Sequence, residues 1–267
     1  MTAVRDRALA IVELLAHNVH GLPMSEIGDR LGIPRTAAHR LLMDLKETGY
    51  VKQDPYSLQY MLTVKLASLG LSYLAATGIT DAAQPLLDDL AGDSGELVRL
   101  AVAEGEDLIW VAKAQGARTG LRYDPDAGLE IYFPATANGI AYLAAFDEER
   151  ALALVSRQGM ERAREMGPGA PQTLRALLEQ IEQARDRGFA VVFDAYEAGT
   201  SAVAAAIRTD EQSDPIGTVS IAGPSIRMSA ARMDTLGPKV VACAKALAIA
   251  SRSSPMFSGH HPKVPQR

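Results

Sequence analysis

The first 62 residues contain three helical segments followed by two short strands, and this order limits the possible fold more than any other feature. Apolar residues recur at helical spacing within each helical segment, and glycine or proline separates one segment from the next. The expected helices span residues 4–16, 26–31 and 35–47, and the expected strands span 50–53 and 58–62. We expect Ser25 to be the N-cap of the short second helix. This order of elements is typical of a winged helix-turn-helix.

The third helix has one polar face and one apolar face. At about 100° per residue, its polar side chains and Met43 fall within an arc of about 140°. The polar side chains are Arg35, Thr36, His39 and Arg40, and the opposite arc contains Ala38, Leu41, Leu42 and Leu45. The apolar arc is expected to face the core. The polar arc is either a solvated surface or a surface that binds a partner.

The polar arc has the chemistry that recognises double-stranded DNA. An arginine side chain can donate two hydrogen bonds to one guanine, and the N-terminus of a helix favours a nearby phosphate. A following hairpin, or wing, can supply further contacts to the DNA backbone. We therefore predict that operator DNA is contacted by Ser25, Arg35, Thr36, Ala37, His39 and Arg40, and by Lys52, Tyr56, Ser57, Gln59 and Tyr60 of the wing.

The net charge of -5 at first argues against nucleic acid, because DNA-binding proteins are usually basic. The charge is unevenly distributed, however. Residues 1–77 have a net charge of +1, residues 78–251 have -9, and residues 252–267 have +3. This asymmetry indicates two domains with different partners.

Beyond residue 63 the pattern changes from helices alone to helices and strands. Further helices are expected at 64–76, 80–91, 137–145, 147–156, 171–187 and 229–251. Strands are expected at 96–103, 107–114, 118–123, 189–194, 202–207 and 216–222. This mixture predicts an α+β domain with an antiparallel sheet. The helix at 64–76 is apolar around most of its circumference, which predicts that it packs against another chain.

The second half of the chain lacks the residues of a hydrolytic or metal site. It has no histidine between residues 40 and 259, which excludes a Ser-His-Asp triad within it. Cys243 lies in an apolar helix and is interpreted as a core residue, and His260-His261 lie in a polar tail. We therefore expect no metal and no cofactor. No apolar run of about 18 residues and no signal peptide is found, so we expect a soluble protein of the cytoplasm that contacts no membrane.

Small-residue loops stand out instead, at 134–139, 199–201 and 220–224. Glycine-rich turns and helix N-termini expose backbone N–H groups, which suit a small anion such as a carboxylate. For each loop taken alone, a structural turn is the favoured interpretation.

The chain resembles the IclR-type transcriptional regulators over residues 5 to about 250. The resemblance is carried by GIPRTAAHRLLMDLKETGYV with its wing, PATANGIAYLA, RGFAVVFDAYEAGTSAVAAAI and TVSIAGP. It implies a winged helix-turn-helix at 1–62, a linker helix at 63–79 and a GAF-like α/β effector-binding domain at 80–251, before a disordered tail at 252–267. It also implies a homodimer or homotetramer that represses or activates a catabolic operon in response to a small organic acid or aromatic compound.

The resemblance also implies where the effector binds, namely against the sheet. The residues matching that site are Thr136, Ala137, Asn138, Gly139, Val192, Asp194, Thr200, Ser201, Ala202, Ser220 and Ala222. Val192, Ala202 and Ala222 replace residues that are often polar in relatives. We therefore expect an effector with an apolar or aromatic body and at most one carboxylate. Two alternatives remain at this stage: an enzyme with an accessory helical domain, and a dimeric sensor that binds a protein partner.

Overall fold

The computed structural model describes residues 4–125, 131–210 and 212–251. The chain divides into two compact units, Met1–Ala76 and Thr77–Arg267. The predicted tail at 252–267 lies outside the described residues. Within the described part, no helix is both long enough and apolar enough to cross a bilayer.

The first unit contains the three expected helices and the expected hairpin. Its elements are α1 (Val4–Ala16), α2 (Met24–Leu31), α3 (Arg35–Glu47), β1 (Val51–Gln53), β2 (Tyr60–Leu62) and α4 (Val64–Thr77). The apolar faces of α1, α2 and α3 meet in one core around Ile11, Ile27 and Leu42. β1 and β2 pair antiparallel, and an isolated bridge from Leu22 to Tyr60 joins the hairpin to the segment before α2.

The predicted N-cap of α2 is wrong, because the helix begins one residue before Ser25. Pro23 occupies the N-cap position with φ -70° and ψ 151°, and no side chain caps the helix. Proline already favours this extended conformation, so the helix starts at Met24 and Ser25 lies within its first turn. The C-terminal end agrees with the expectation, since Gly32 adopts a left-handed conformation and its N–H donates to the carbonyl oxygens of Gly28 and Asp29.

The second unit is an antiparallel sheet with helices on both faces. Its strands are β3 (Leu97–Glu104), β4 (Asp107–Gln115), β5 (Ala190–Phe193), β6 (Thr200–Ile207) and β7 (Gly217–Pro224). Its α-helices are α5 (Ile79–Ser94), α6 (Ala137–Ala144), α7 (Glu148–Gln158), α8 (Leu174–Arg187) and α9 (Ala230–Ala250), with short 3-10 helices at Phe133–Ala135 and Glu161–Glu165. The strand order is β4-β3-β7-β6-β5.

The two faces of this sheet have different helical layers. α5 and α9 contact each other and pack against one face, whereas α6 packs on β5, β6 and β7 with α7 and α8 outside it. Alternating residues of each strand therefore enter one layer or the other. The α6 layer contains Trp110, Phe133, Ile140 and Leu154 in one cluster.

Side-chain caps set the starts of four helices in this unit. Thr136, Asp147, Thr173 and Ser229 each accept a hydrogen bond from a backbone N–H in the first turn of α6, α7, α8 and α9. The cap at Thr173 explains why α8 begins at Leu174 rather than at the predicted residue 171.

The predicted strand at 118–123 is wrong, because residues 118–125 form an irregular segment after β4. Gly116 lies against α5 so closely that a Cβ atom there would be 1.9 Å from the carbonyl oxygen of Ala91. The side chain of Gln115 then accepts from the Ala117 N–H and donates to the Tyr123 carbonyl. These contacts turn the chain away from the sheet, so an apolar pattern that suited a strand forms a loop.

Candidate functional site

The exposed face of α3 carries the polar residues that the helical spacing placed there. Arg35, Thr36, His39 and Arg40 are exposed, whereas Ala37 is half-buried. Ala38, Leu41 and Leu42 are buried on the opposite face. No acidic side chain in the described part of the chain pairs with Arg35 or Arg40. Both guanidinium groups therefore keep their donors for an external partner.

The wing, which comprises β1, β2 and the turn at 54–59, is held by a network around Asp54. The Asp54 carboxylate accepts from the N–H groups of Tyr56 and Ser57 and from the Ser57 hydroxyl, at 2.7–3.0 Å. These backbone hydrogen bonds, strongest from Ser57, lower the pKa of Asp54 from its usual value. The turn is therefore shaped before any partner binds, and it presents Lys52, Tyr56 and Ser57 to solvent.

Two residues of the wing, Gln59 and Tyr60, are less exposed than predicted. The prediction that Tyr60 contacts DNA is wrong, because this side chain is only 4% exposed and packs in the core of the first unit. The strand pattern placed it in the wing but did not show which side of the hairpin it occupies. Gln59 is half-buried, and Ser25 is exposed in the first turn of α2.

A narrow cavity with about 20 Å³ of free volume lies between the α6 N-terminus and the sheet. It is lined by Arg99, Tyr123, Thr136, Ala137, Asn138, Val192, Tyr196, Thr200, Ser201, Ala202 and Ala222. Eight of these eleven residues are among those predicted from the resemblance. The structure thus brings together segments that lie far apart in the sequence.

Three predicted residues do not line the cavity. Gly139 faces the preceding 3-10 helix, where a Cβ atom would be 2.3 Å from the Phe133 Cα. The Asp194 carboxylate accepts from the Gly199 N–H and the Ser225 hydroxyl, so it holds the loop before β6. Ser220 is fully buried on β7, and its hydroxyl has no hydrogen-bond partner among the described residues.

Most polar groups of the cavity already have partners within the protein. The Thr136 hydroxyl donates to the Tyr132 carbonyl, and the Asn138 amide donates to the Thr218 hydroxyl. The Ser201 and Ser225 hydroxyls are 2.8 Å apart. These hydrogen bonds fix the walls, and they reduce the number of donors available to a ligand.

Three lining residues, Tyr123, Tyr196 and Arg99, were not predicted from the sequence, and the charged one is Arg99. It lies in β3 and is only 7% exposed, yet its Nε and Nη1 atoms have no hydrogen-bond partner within the described residues. Its guanidinium Cζ lies 3.8 Å from the centre of the Trp110 ring. Burial lowers the pKa of Arg99 from its usual value, and the neighbouring Tyr123 and Tyr196 side chains oppose this effect. A signal was available, since Arg99 is the one charged residue within the run LVRLAVA.

A wider cleft of about 630 Å³ lies beside α5 and the end of β4. Its lining includes Arg227, but this guanidinium already binds both oxygens of the buried Glu96 carboxylate at 2.7 Å. This pairing raises the pKa of Arg227. Arg118, which is exposed, is the other cationic side chain in the lining of this cleft.

Models of known protein families match both parts of the chain. The family model described as "IclR helix-turn-helix domain" matches residues 5–55, and the model described as "Bacterial transcriptional regulator IclR C-terminal" matches residues 71–249. The acetate operon repressor of Salmonella typhimurium is 28% identical over 245 residues, which cover 91% of this chain and 88% of that protein.

Solved structures share the fold. An IclR transcriptional regulator from Alicyclobacillus acidocaldarius has a TM-score of 0.81 at 21% identity, covering 94% of this chain and 99% of that one. An IclR homologue from Microbacterium hydrocarbonoxydans, which is complexed with 4-hydroxybenzoate, has a TM-score of 0.77 at 20% identity, covering 94% and 100%. With one family model matching the helix-turn-helix and another matching most of the second unit, this chain belongs to the IclR family of bacterial transcriptional regulators.

Proposed function

We propose that this protein represses a catabolic operon by binding operator DNA and that a small molecule in the second unit alters this binding. The observation that supports DNA binding is that Arg35 and Arg40 on α3 are exposed and unpaired. Membership in a family of transcriptional regulators decides against the enzyme alternative. A regulator of this kind acts in the cytoplasm, where the bacterial chromosome lies.

We assign one role to each of the domains expected from the sequence. Residues 1–62 bind DNA, residues 63–79 link the domains, and residues 80–251 bind the effector. The apolar walls of the cavity, at Val192, Ala202 and Ala222, suit an effector with an apolar or aromatic body. A 4-hydroxybenzoate complex of a relative with the same fold is consistent with such a ligand.

We propose a homodimer as the smallest active form, with a homotetramer as the alternative. α4 exposes large apolar side chains, with Val64, Leu71 and Tyr73 each more than half exposed. A helix of this kind needs a partner surface. A two-fold dimer presents two α3 helices and therefore predicts a palindromic operator whose half-sites lie about one helical turn apart.

Titration of a labelled fragment of the protein's own promoter tests the DNA-binding surface. Arg35→Ala combined with Arg40→Ala is expected to weaken binding at least about thirtyfold, since each contact from arginine to a guanine contributes about 1–3 kcal/mol. The dependence of affinity on salt should also decrease.

The control is Arg164→Ala combined with Arg175→Ala, which removes the same charge from exposed sites of the second unit. Its affinity should match that of the wild type. Equal affinity of the α3 double variant and the wild type would refute the assignment of α3 as the recognition helix.

A further inference from the structure

The tip of the wing presents apolar side chains to solvent. Tyr56 is 95% exposed and Leu58 is 62% exposed. Between residues 51 and 62 the charged side chains are Lys52 and Asp54, and the Asp54 carboxylate is occupied by the hydrogen bonds of the turn. A wing that bound only phosphates would be expected to carry more cations. The tip is therefore suited to an apolar contact.

Leu58 adopts a backbone conformation that leucine rarely takes. Its φ is 58°, in the left-handed region, where a Cβ atom crowds the backbone and glycine or asparagine is the usual residue. In the described part of the chain, Asp194 is the other non-glycine residue with a positive φ, and its carboxylate is bound within the protein. The side chain of Leu58 is exposed instead, so burial within the protein does little to offset its strain. Strain kept at an exposed position indicates a role in a complex.

Hydrogen bonds hold the backbone on both sides of Leu58. The Leu58 N–H donates to the Asp54 carbonyl at 3.0 Å, and the Gln53 side-chain amide donates to the Leu58 carbonyl at 3.0 Å. The Asp54 N–H donates to the Gln59 carbonyl at 2.9 Å and closes the turn. The leucine therefore projects from a backbone that is ordered before a partner binds, which reduces the entropy lost on binding.

Double-stranded DNA is the partner that the place of the tip in the fold favours. The wing follows α3 after residues 48–50, and β1 packs against α3, which carries the exposed and unpaired Arg35 and Arg40. When a recognition helix lies in the major groove, a neighbouring segment of the same domain can reach the adjacent minor groove. Leucine is one of the apolar side chains that proteins insert there between base pairs, where it unstacks a base step and kinks the duplex.

We propose that Leu58 is a wedge that enters the minor groove beside each half-site and partly unstacks one base step, so that the operator is bent in the complex. The step is expected to be a pyrimidine–purine step, because these steps kink most readily. This inference rests on the proposed function, and it adds how the wing selects DNA, namely by the deformability of the duplex rather than by hydrogen bonds to the bases.

Leu58→Asn and Leu58→Met separate a wedge from a structural residue. Asparagine tolerates the left-handed backbone but is polar, so the Tm of Leu58→Asn should equal or exceed that of the wild type. Its affinity for a fragment of the protein's own promoter should fall at least about tenfold. Leu58→Met, which stays apolar, should retain most of the affinity. A Tm of Leu58→Asn well below the wild type would assign this side chain a structural role and overturn the proposal.

The bend and the unstacking are measured directly, with the protein at saturating concentration so that a change in affinity does not contribute. Energy transfer between dyes at the two ends of the promoter fragment reports the bend. The adenine analogue 2-aminopurine, placed in turn at the pyrimidine–purine steps, brightens where a base is unstacked. The wild type and Leu58→Met should bend the fragment and brighten one step in each half-site, whereas Leu58→Asn should give a smaller bend and no brightening.

The matched control is Ile226→Asn, at an apolar turn position of the second unit that is 87% exposed, and it should bind and bend DNA as the wild type does. Equal affinity and equal bend for the wild type and Leu58→Asn would assign the apolar tip to a partner other than DNA and overturn the proposal, as would a wild-type complex with straight, fully stacked DNA. Either result leaves DNA binding itself in place. Wild-type protein that binds no promoter DNA would refute the proposed function, and this inference with it.

Discussion

Tyr56 and Tyr60 belong to the same wing but have opposite environments. Tyr56 is 95% exposed at the tip of the turn, whereas Tyr60 packs in the core and bridges to Leu22. The alternation of a strand shows that neighbouring side chains face opposite ways, but it does not show which way is inward. The role of each tyrosine therefore becomes clear only from the packed hairpin.

This contrast gives a paired prediction. Tyr56→Ala should weaken DNA binding without lowering stability, because its side chain contacts little of the protein. Tyr60→Ala should destabilise the first unit by about 3–5 kcal/mol, the usual cost of removing a buried aromatic ring. Urea unfolding and promoter titration of both variants check this, and a loss of stability in Tyr56→Ala with none in Tyr60→Ala would reverse the two assignments.

Cys243 gives a prediction about pH. Burial, and secondarily the charge of Asp89, raises the pKa of its thiol from 9.0 to about 11. At pH 8 the native thiolate fraction is then about a hundredfold below that of the unfolded chain. Alkylation by iodoacetamide should be slow in native protein and fast in urea. Since the unfolded thiol ionises first, raising the pH from 9 towards 11 should lower the free energy of unfolding. Rapid native alkylation at pH 8 would contradict the burial of this thiol.

At the scale of the elements, helices were more predictable from the sequence than loops. The periodicity of α3 identified its buried and exposed faces. The Thr173 cap was not recognised in the sequence, so α8 was expected to begin three residues too early. The prediction of a strand at 118–123 was wrong because the chain turns where Gly116 contacts α5. This contact joins residues that are distant in sequence. Local pattern cannot report such contacts.

The residues of the candidate cavity were likewise predictable only in part. Its predicted residues came from segments that the resemblance identified, and eight of them line the cavity. Arg99, Tyr123 and Tyr196 were missed, because an arginine in a strand or a tyrosine in a loop has no local signal for facing inward. Only the packed sheet shows that Arg99 of β3 lines the cavity.

α4 supports a prediction about assembly. Leu69→Lys combined with Leu71→Lys should dissociate the proposed dimer, because two charges would be buried in an apolar interface. The matched control is Ser68→Lys with Ser72→Lys, which adds the same charge at exposed polar positions of the same helix. Sedimentation measures the mass, and promoter titration should show weaker binding for the leucine variant alone. A dimer that survives both pairs would exclude α4 as the interface.

At the scale of the whole molecule, each unit has a hydrophobic core of its own. Separate cores predict separate unfolding events. Scanning calorimetry should therefore show two transitions, with Tyr60→Ala lowering only the one that belongs to the first unit. A bound effector should raise only the transition of the second unit. A single transition that responds to both changes would show that the units unfold as one.

The stacking of Arg99 on Trp110 also has an optical consequence. The sequence contains a single tryptophan, and its ring is 4% exposed beside the cavity. All tryptophan emission of the protein thus originates 3.8 Å from the guanidinium. An anion that neutralises this charge changes the electric field across the indole ring and shifts its fluorescence. The protein therefore carries an intrinsic, label-free reporter of its own occupancy, placed where the charge of a ligand would be felt most strongly.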